Sequence, residues 1–447
     1  MIIMKSITKK LFAFGLALLF ISSCSLDEID NPNAPTFGSF LNGATQADVR
    51  LLATGLEAVM RSDLEFHYQT VSIIGREYYD LTGVDPRFTG ELLKGPLDNN
   101  GFLTTRAFAA WYKIVQAANH LETAVTNSSA GFSDQVKNGY FGYAKTLKAY
   151  GLLMVANRQF NNGIRLDVAD PNNLGANVGY QEALSGIMSL LDEANSNLGS
   201  ASAEFDFVLS EGFAGFDTPA TFSEFNRAIA ARTAIYQDNK GLALSLLGDS
   251  FFDMAGNLRT GPVHIFGATG NDILNDQFYI QDQSGQEFMA HDTWVADSDP
   301  GDTRVSSKSD PYDPDDDPDL GPLTVTFDNL SADYQVSLYS SNTDPVALIR
   351  NEELILIYAE ANIGSDVNNV LTAINTVRNA AGLGNYLGAT DDQSLVNEVL
   401  KQRRYSLFGE GHRWIDLRRF GRLDEIPLDR SGDNALDAFP TPVTENI

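Results

Sequence analysis

Residues 402–422 read QRRYSLFGEGHRWIDLRRFGR, and the rest of the chain is best read outward from them. Just upstream, Val396, Val399, Leu400, Arg403 and Leu407 fall on one face of a helix. Arg403 therefore stands on an otherwise apolar stripe, where a guanidinium needs a carboxylate because an unpaired buried charge is too costly. Gly409 and Gly411 break the helix and bracket Glu410, the natural partner by position. A second short helix follows, with Trp414, Leu417 and Phe420 on one side and Arg413, Asp416 and Arg418 interleaved. Gly421 stands where helices commonly end. The pattern reads as a helix–turn–helix corner locked by Arg–carboxylate pairs. An anion-binding or catalytic site is the competing reading, but structural ion-pair networks commonly look like this.

The same stretch resembles the C-terminal signature of the SusD/RagB family of outer-membrane nutrient-binding lipoproteins. That signature runs roughly Glu-Arg-Arg, a Glu-Leu pair, Glu-Gly-x-Arg, then Asp-Leu-x-Arg and Gly. Arg403, Arg404, Leu407, Glu410, Gly411, Arg413, Asp416, Leu417, Arg419 and Gly421 match it, whereas Gln402 and Ser406 stand where the family often carries acids. Some of the family's ion pairs are therefore missing here or made differently. Three further stretches agree. IRNEELILIYAEANI (349–363) is similar to the family's Arg-x-x-Glu…Ala-Glu-Ala helix, AINTVRNAAGL (373–383) to its Asn-x-x-Arg…Ala-Gly-Leu helix, and FPTPVTENI to its Pro-x-Pro…Glu ending.

The N-terminus extends the resemblance along the whole chain. Lys5, Lys9 and Lys10 form a basic region, and residues 11–21 are an apolar run too short to span a bilayer. ISSC then resembles the lipobox that directs diacylglycerol onto a cysteine, here Cys24, the only cysteine in the chain. A lone cysteine excludes a disulfide within the chain and any cysteine-based zinc site, and a lipidated one anchors a protein without spanning the membrane. Asp27, Glu28 and Asp30 resemble export tags for the outer leaflet. The expected organisation is a signal peptide over 1–23, a lipidated N-terminus and tether over 24–45, and one domain over 46–447.

The 447 residues carry 31 Lys plus Arg against 59 Asp plus Glu, a net charge of −28. Removing the three signal-peptide lysines leaves −31. Such a surface repels nucleic acid and anionic lipid headgroups and suits a neutral or cationic ligand.

Helical periodicity runs over about 46–61, 67–78, 107–127, 133–158, 180–198, 221–247, 345–363, 366–381 and 391–408. Short turns join these helices in pairs, as in tetratricopeptide arrays, without a clean repeat. Two excursions interrupt them. Residues 79–105 are mostly turn chemistry, and 252–344 contain VHIF (263–266), LTVTF (323–327) and YQVSLY (334–339), which alternate like short strands. The fold class expected is mainly α: tetratricopeptide-like helical pairs wrapped by long loop excursions with a few short strands.

Trp111 and Trp414 lie at helical spacing with apolar partners and read as core. Trp294, in AHDTWVADSDPGDTR, has no apolar partner at strand or helix spacing, so it is either a lid on the core or a platform for a sugar ring. Tyr279, Phe288 and Tyr312 share its excursion. Tyr78, Tyr79 and Phe88 join them from the first, because the family builds its ligand face from loops in both regions. Residues 310–319 hold six aspartates. Pro318 and Thr324 break the EF-hand pattern, so a solvated acidic turn is expected and no metal site is assigned. Gly-x-Ser-x-Gly, Walker, dinucleotide and His-Glu-x-x-His motifs are absent. His291 is read as an ordinary loop residue near Trp294.

The resemblance implies a cell-surface lipoprotein of the outer membrane, without catalytic residues or cofactor, that captures an oligosaccharide or polysaccharide. It would pass this ligand to a SusC-like TonB-dependent transporter. A peptide cargo, a surface glycoside hydrolase and a purely structural lid are the alternatives.

Overall fold

Thr45 closes the first helix in a capping box: its hydroxyl oxygen accepts from the Asp48 amide, and Asp48 accepts from the Thr45 amide at 2.9 Å. That helix, α1 (Gln46–Val59), opens the part of the chain described by a computed structural model, residues 41–446 apart from 271, 282 and 315–320. The lipobox cysteine and residues 24–40 of the tether lie outside it, while the last tether residues are packed on the domain: Ala44 is buried and the Gly43 amide donates to Asn127 O at 3.0 Å. Next come α2 (Leu64–Ile74), β1 (Tyr78–Asp80), α3 (Arg87–Lys94), α4 (Phe102–Thr126) and α5 (Asp134–Gln159). A small hairpin of β2 (Ile164–Arg165) and β3 (Asn177–Val178) leads to α6 (Tyr180–Gly199), α7 (Pro219–Tyr236) and α8 (Lys240–Gly248).

Consecutive helices α4 to α8 pack side by side, as the paired-helix expectation requires. Close approach explains their alanines and glycines. A Cβ on Gly142 in α5 would lie 2.5 Å from Leu198 of α6, so only hydrogen fits there. The sequence pattern over 221–247 splits into α7 and α8, because Asp238 takes φ +55° and Asn239 caps the second helix through the Leu242 amide. The pattern over 67–78 also ends early: α2 stops at Ile74, and Tyr78 belongs to a strand. The first excursion holds a helix, α3, that turn chemistry concealed.

The second excursion contains β4 (Val263–His264), β5 (Phe288–Ala290), α9 (Asp292–Ala296), α10 (Thr303–Ser306), β6 (Ser309–Pro311), β7 (Val325–Phe327), β8 (Leu330–Ala332) and β9 (Tyr334–Val336). β10 (Val346–Ala347) follows it and pairs with β4, where the pattern over 345–363 suggests helix from its start. Four strands form one antiparallel sheet in the order β1-β5-β9-β6. The two excursions therefore meet in this sheet. The chain closes with α11 (Asn351–Asn362), α12 (Val367–Ala380), α13 (Asp392–Ser406) and α14 (Arg413–Arg419). A second apolar core of Leu356, Ala359, Val370, Ile374, Leu395 and Val399 joins α11, α12 and α13.

Candidate ligand-binding face

Register decides what the sheet presents. Tyr78 pairs with Ala290 and Asp80 with Phe288, so β1 and β5 bring aromatics from both excursions together. Tyr279 stacks on Phe288 with centroids 4.2 Å apart and planes at 16°, and Tyr78 meets Phe288 edge-on at 6.3 Å. The cluster turns inward, however. Tyr78, Tyr79, Tyr279 and Phe88 are buried. Tyr279 accepts from the Gln69 amide at 3.1 Å, and Tyr79 donates to Asp429. Phe88 packs on Phe66 and Phe102. Burial raises the Tyr78 hydroxyl well above its ordinary value, so it stays protonated. These four rings shape the face from beneath and offer no stacking surface to a ligand.

Trp294 corrects the expectation most sharply. It is 1% exposed, sandwiched by Phe408 at 3.9 Å and Tyr405 at 4.6 Å, and its indole N–H donates to Ser309 Oγ at 2.9 Å. It is the lid on the core and not the platform. Its polar neighbours in sequence are caps and turns. His291 Nδ1 accepts from the Thr293 amide to start α9, and Asp302 accepts from the Arg304 amide to start α10. The apolar partners come from α13 and the turn after it, more than 100 positions away, where spacing cannot reveal them.

Half-buried Phe288 and Tyr312 remain at the surface, joined by exposed Val84, Ile280 and Leu323. Backbone and amide bonds tie their loops together. The Leu81 amide donates to Glu287 O at 2.9 Å, Gln281 Nε2 to Pro311 O at 3.0 Å and the Leu323 amide to Tyr312 O at 2.7 Å. Gln281 Oε1 also accepts from the Asp313 amide. Asp85 and Arg87 form an exposed pair at 2.6 Å beside Val84, and that partner holds the Asp85 carboxyl below its usual range. The result is an apolar surface with an amide and carboxylate rim. The sequence reading missed Val84, Ile280 and Leu323; their only signal is an isolated apolar residue within a polar turn. Among the described residues no group of His, Cys, Asp and Glu is arranged to hold a metal, and aspartates 315–317 and 319 lie outside them.

The C-terminal corner is a lock, with one change of partners. Arg403 Nε donates to Asp416 Oδ2 at 2.7 Å, and Arg419 Nε to Asp416 Oδ1 at 3.0 Å. Burial would raise the Asp416 carboxyl, but those two arginines hold it below its usual value. Glu410, expected opposite Arg403, pairs instead with Arg350. The turn of Gly409 and Gly411, at φ +77° and +75°, points Glu410 toward the start of α11, while Asp416 on α14 faces α13 directly. Arg404 reaches Asp297 at 2.8 Å, and Arg413 Nε donates to Gly75 O at 2.9 Å.

With this geometry in hand, comparison with known proteins is specific. Residues 275–444 match the SusD family. The structure extends the likeness to nearly the whole chain. A SusD superfamily protein from Bacteroides vulgatus superposes with TM-score 0.68 at 16% identity, covering 90% of this chain and 96% of that one. A laminarin-binding SusD-like protein gives 0.64 at 16% identity over 90% and 97%. Surface glycan-binding protein A from Bacteroides thetaiotaomicron, solved with laminarihexaose, gives 0.68 at 12% over 90% and 97%. No curated protein sequence matches the chain. The SusD fold and its tetratricopeptide-like helical pairs therefore stand as read from the sequence. No described helix is long and apolar enough to cross a membrane.

Proposed function

We propose that this SusD-like chain is a cell-surface binding protein that captures an oligosaccharide or polysaccharide and passes it to a SusC-like TonB-dependent transporter. Cys24 carries the lipid that holds it at the outer membrane, residues 24–45 form the tether, and the domain over 46–447 faces the exterior. The observation that carries the reading is the convergence of both excursions on one sheet. The loops tied together there carry half-buried Phe288 and Tyr312 and exposed Val84, Ile280 and Leu323. The printed descriptions of two structural relatives, one laminarin-binding and one solved with laminarihexaose, support a glycan as ligand. Apolar C–H faces of a sugar pack on such rings while its hydroxyls take the polar rim. Affinity then comes from contact alone, and no bond is broken.

Titration of the purified chain with a panel of laminarin oligosaccharides, other glycans and oligopeptides tests this. Saturable binding to a glycan without release of new reducing ends is expected, weakened about tenfold, ~1.4 kcal/mol, by Tyr312→Ala. Binding confined to peptides would replace the ligand class. Appearance of shorter products would overturn the binding-protein reading in favour of a hydrolase.

A further inference from the structure

Beside the corner, a cleft of 480 Å³ opens between α9, α13, α14 and the turn at Leu423–Glu425. Lys401, Arg404, Arg413 and Arg422 face it, an unusual concentration of bases in a chain of net charge −28. Three acids also border it. Asp416 is taken up by Arg403 and Arg419, Asp297 accepts from Arg404, and Glu425 stays 3.7 Å from Arg422. Lys401 is held by Asp299 at 2.5 Å. Arg413 is the exception. Its Nε–H···O bond to Gly75 fixes the guanidinium plane, and among the described residues neither terminal nitrogen meets a carboxylate. Burial and the neighbouring Arg404 press Arg413 down to about 10; Glu77 and Asp297 act against that shift, but burial raises Glu77 to about 7 and Asp297 already accepts from Arg404. A half-buried cation thus stands beside a second cation without a full counter-charge.

We propose that this cleft binds an oxyanion, with the terminal N–H groups of Arg413 as principal donors and Arg404 and Arg422 flanking it. A guanidinium held in one plane presents the two-pronged geometry that carboxylate, phosphate and sulfate oxygens accept. The volume admits a free phosphate or sulfate and also the larger body of a sugar acid bearing a carboxylate. None of the cleft's residues belongs to the loop face, so the site stands or falls independently of the glycan reading. It also gives the corner's second reading, anion binding, a place beside the lock instead of within it.

Thermal unfolding of the full chain is measured in sodium phosphate, sulfate and glucuronate, each against sodium chloride at matched ionic strength. Specific binding raises the midpoint saturably, as mass action requires, whereas general salting-out rises without saturation. The expected result is a saturable rise in the wild type that Arg413→Met abolishes. A rise with glucuronate alone assigns the sugar acid, one with phosphate or sulfate alone the free anion, and one with all three any oxyanion. Absence of a saturable rise, or an equal rise in Arg413→Met, overturns the proposal. If Arg413→Met does not fold, the double variant Arg404→Gln/Arg422→Gln takes its place. Its half-saturating concentration should rise about tenfold, and an unchanged value refutes the site.

Discussion

Two arginine–carboxylate pairs in this protein have almost the same geometry and opposite surroundings. Arg232 meets Glu353 through two bonds, 2.7 and 2.5 Å, with side chains 3% and 2% exposed. Arg87 meets Asp85 through bonds of 3.0 and 2.6 Å, with side chains 47% and 24% exposed. The first lies where α7 packs on α11, behind the C-terminal corner; the second rims the loop face. Surroundings, not bond lengths, set what each pair contributes. In the helical core either partner left alone is an uncompensated buried charge, whereas at the rim water replaces the missing partner.

The largest effect should therefore come from Arg232→Met, which strands Glu353. Burial opposes ionisation of that carboxyl, yet the Arg232 charge holds it down to about 2. Urea unfolding should show a loss of about 4 kcal/mol, and Arg232→Met/Glu353→Leu should recover much of it. Arg87→Gln should leave the unfolding midpoint nearly unchanged. Equal losses at the two sites would break the comparison.

Trp294→Ala comes next. As a ring packed between Phe408 and Tyr405, it should cost about 3 kcal/mol in the same assay. Trp294→Phe should cost about 1 kcal/mol or so, since it keeps the stack and loses the bond to Ser309. A stability-neutral Trp294→Ala would return the residue to the surface role suggested by its sequence setting.

The same contrast explains what could be read in advance. The corner was legible as an arginine–carboxylate lock because its logic is local: a guanidinium on an apolar helical stripe demands an acid nearby, though the acid that meets Arg403 is Asp416 across the turn and not the expected Glu410. Even there a turn of two glycines redirected Glu410 to Arg350, a partner 60 positions upstream that no periodicity announces. The helix pairs were legible for the same reason, and the split at Asn239 was missed because one left-handed residue in an otherwise continuous apolar pattern is enough to make it. On the loop face the strands are two or three residues long, and their partners lie up to about 200 positions apart. Region was readable there and orientation was not. Tyr78 and Tyr279 were placed in the right neighbourhood, but whether a ring points in or out depends on a register that short strands do not declare.

Glu77 joins the two regions and makes the contrast depend on pH. It stands three residues after α2, is buried, and accepts from the Gly409 amide at 3.2 Å. Burial raises it from 4.5 to about 7. Between those values the folded chain holds a proton that the unfolded chain has released, so this residue's contribution falls as pH rises and its full cost is present above about 7. Glu77→Gln should match the wild type below pH 4.5 and exceed it by about 3 kcal/mol at pH 8. His412 acts in the opposite sense. Burial lowers it to about 4, so its contribution is complete above 6.5 and is lost as pH falls from there toward 4. Stability profiles of the wild type and Glu77→Gln that stay parallel from pH 4 to 8 would show that the carboxyl titrates alike in the folded and unfolded chain, and would refute the shift.

The smallest stability effect should come from Val84, 78% exposed at the tip of the first loop, yet it is the sharpest probe of the face. A side chain already in water contributes little to folding, so Val84→Asn should shift stability by less than about 0.5 kcal/mol. Its worth lies in what a bound sugar would cover. If the ligand lies across both loops, Val84→Asn and Tyr312→Ala should each weaken glycan binding, with the ring the larger loss. If only Tyr312→Ala matters, the ligand sits over the segment from Pro311 to Phe327 and the first loop is scaffold. If neither changes an affinity that the wild type clearly has, the apolar face is not where the glycan binds. The convergence of two excursions would then be an arrangement of the core, as it is for Trp294.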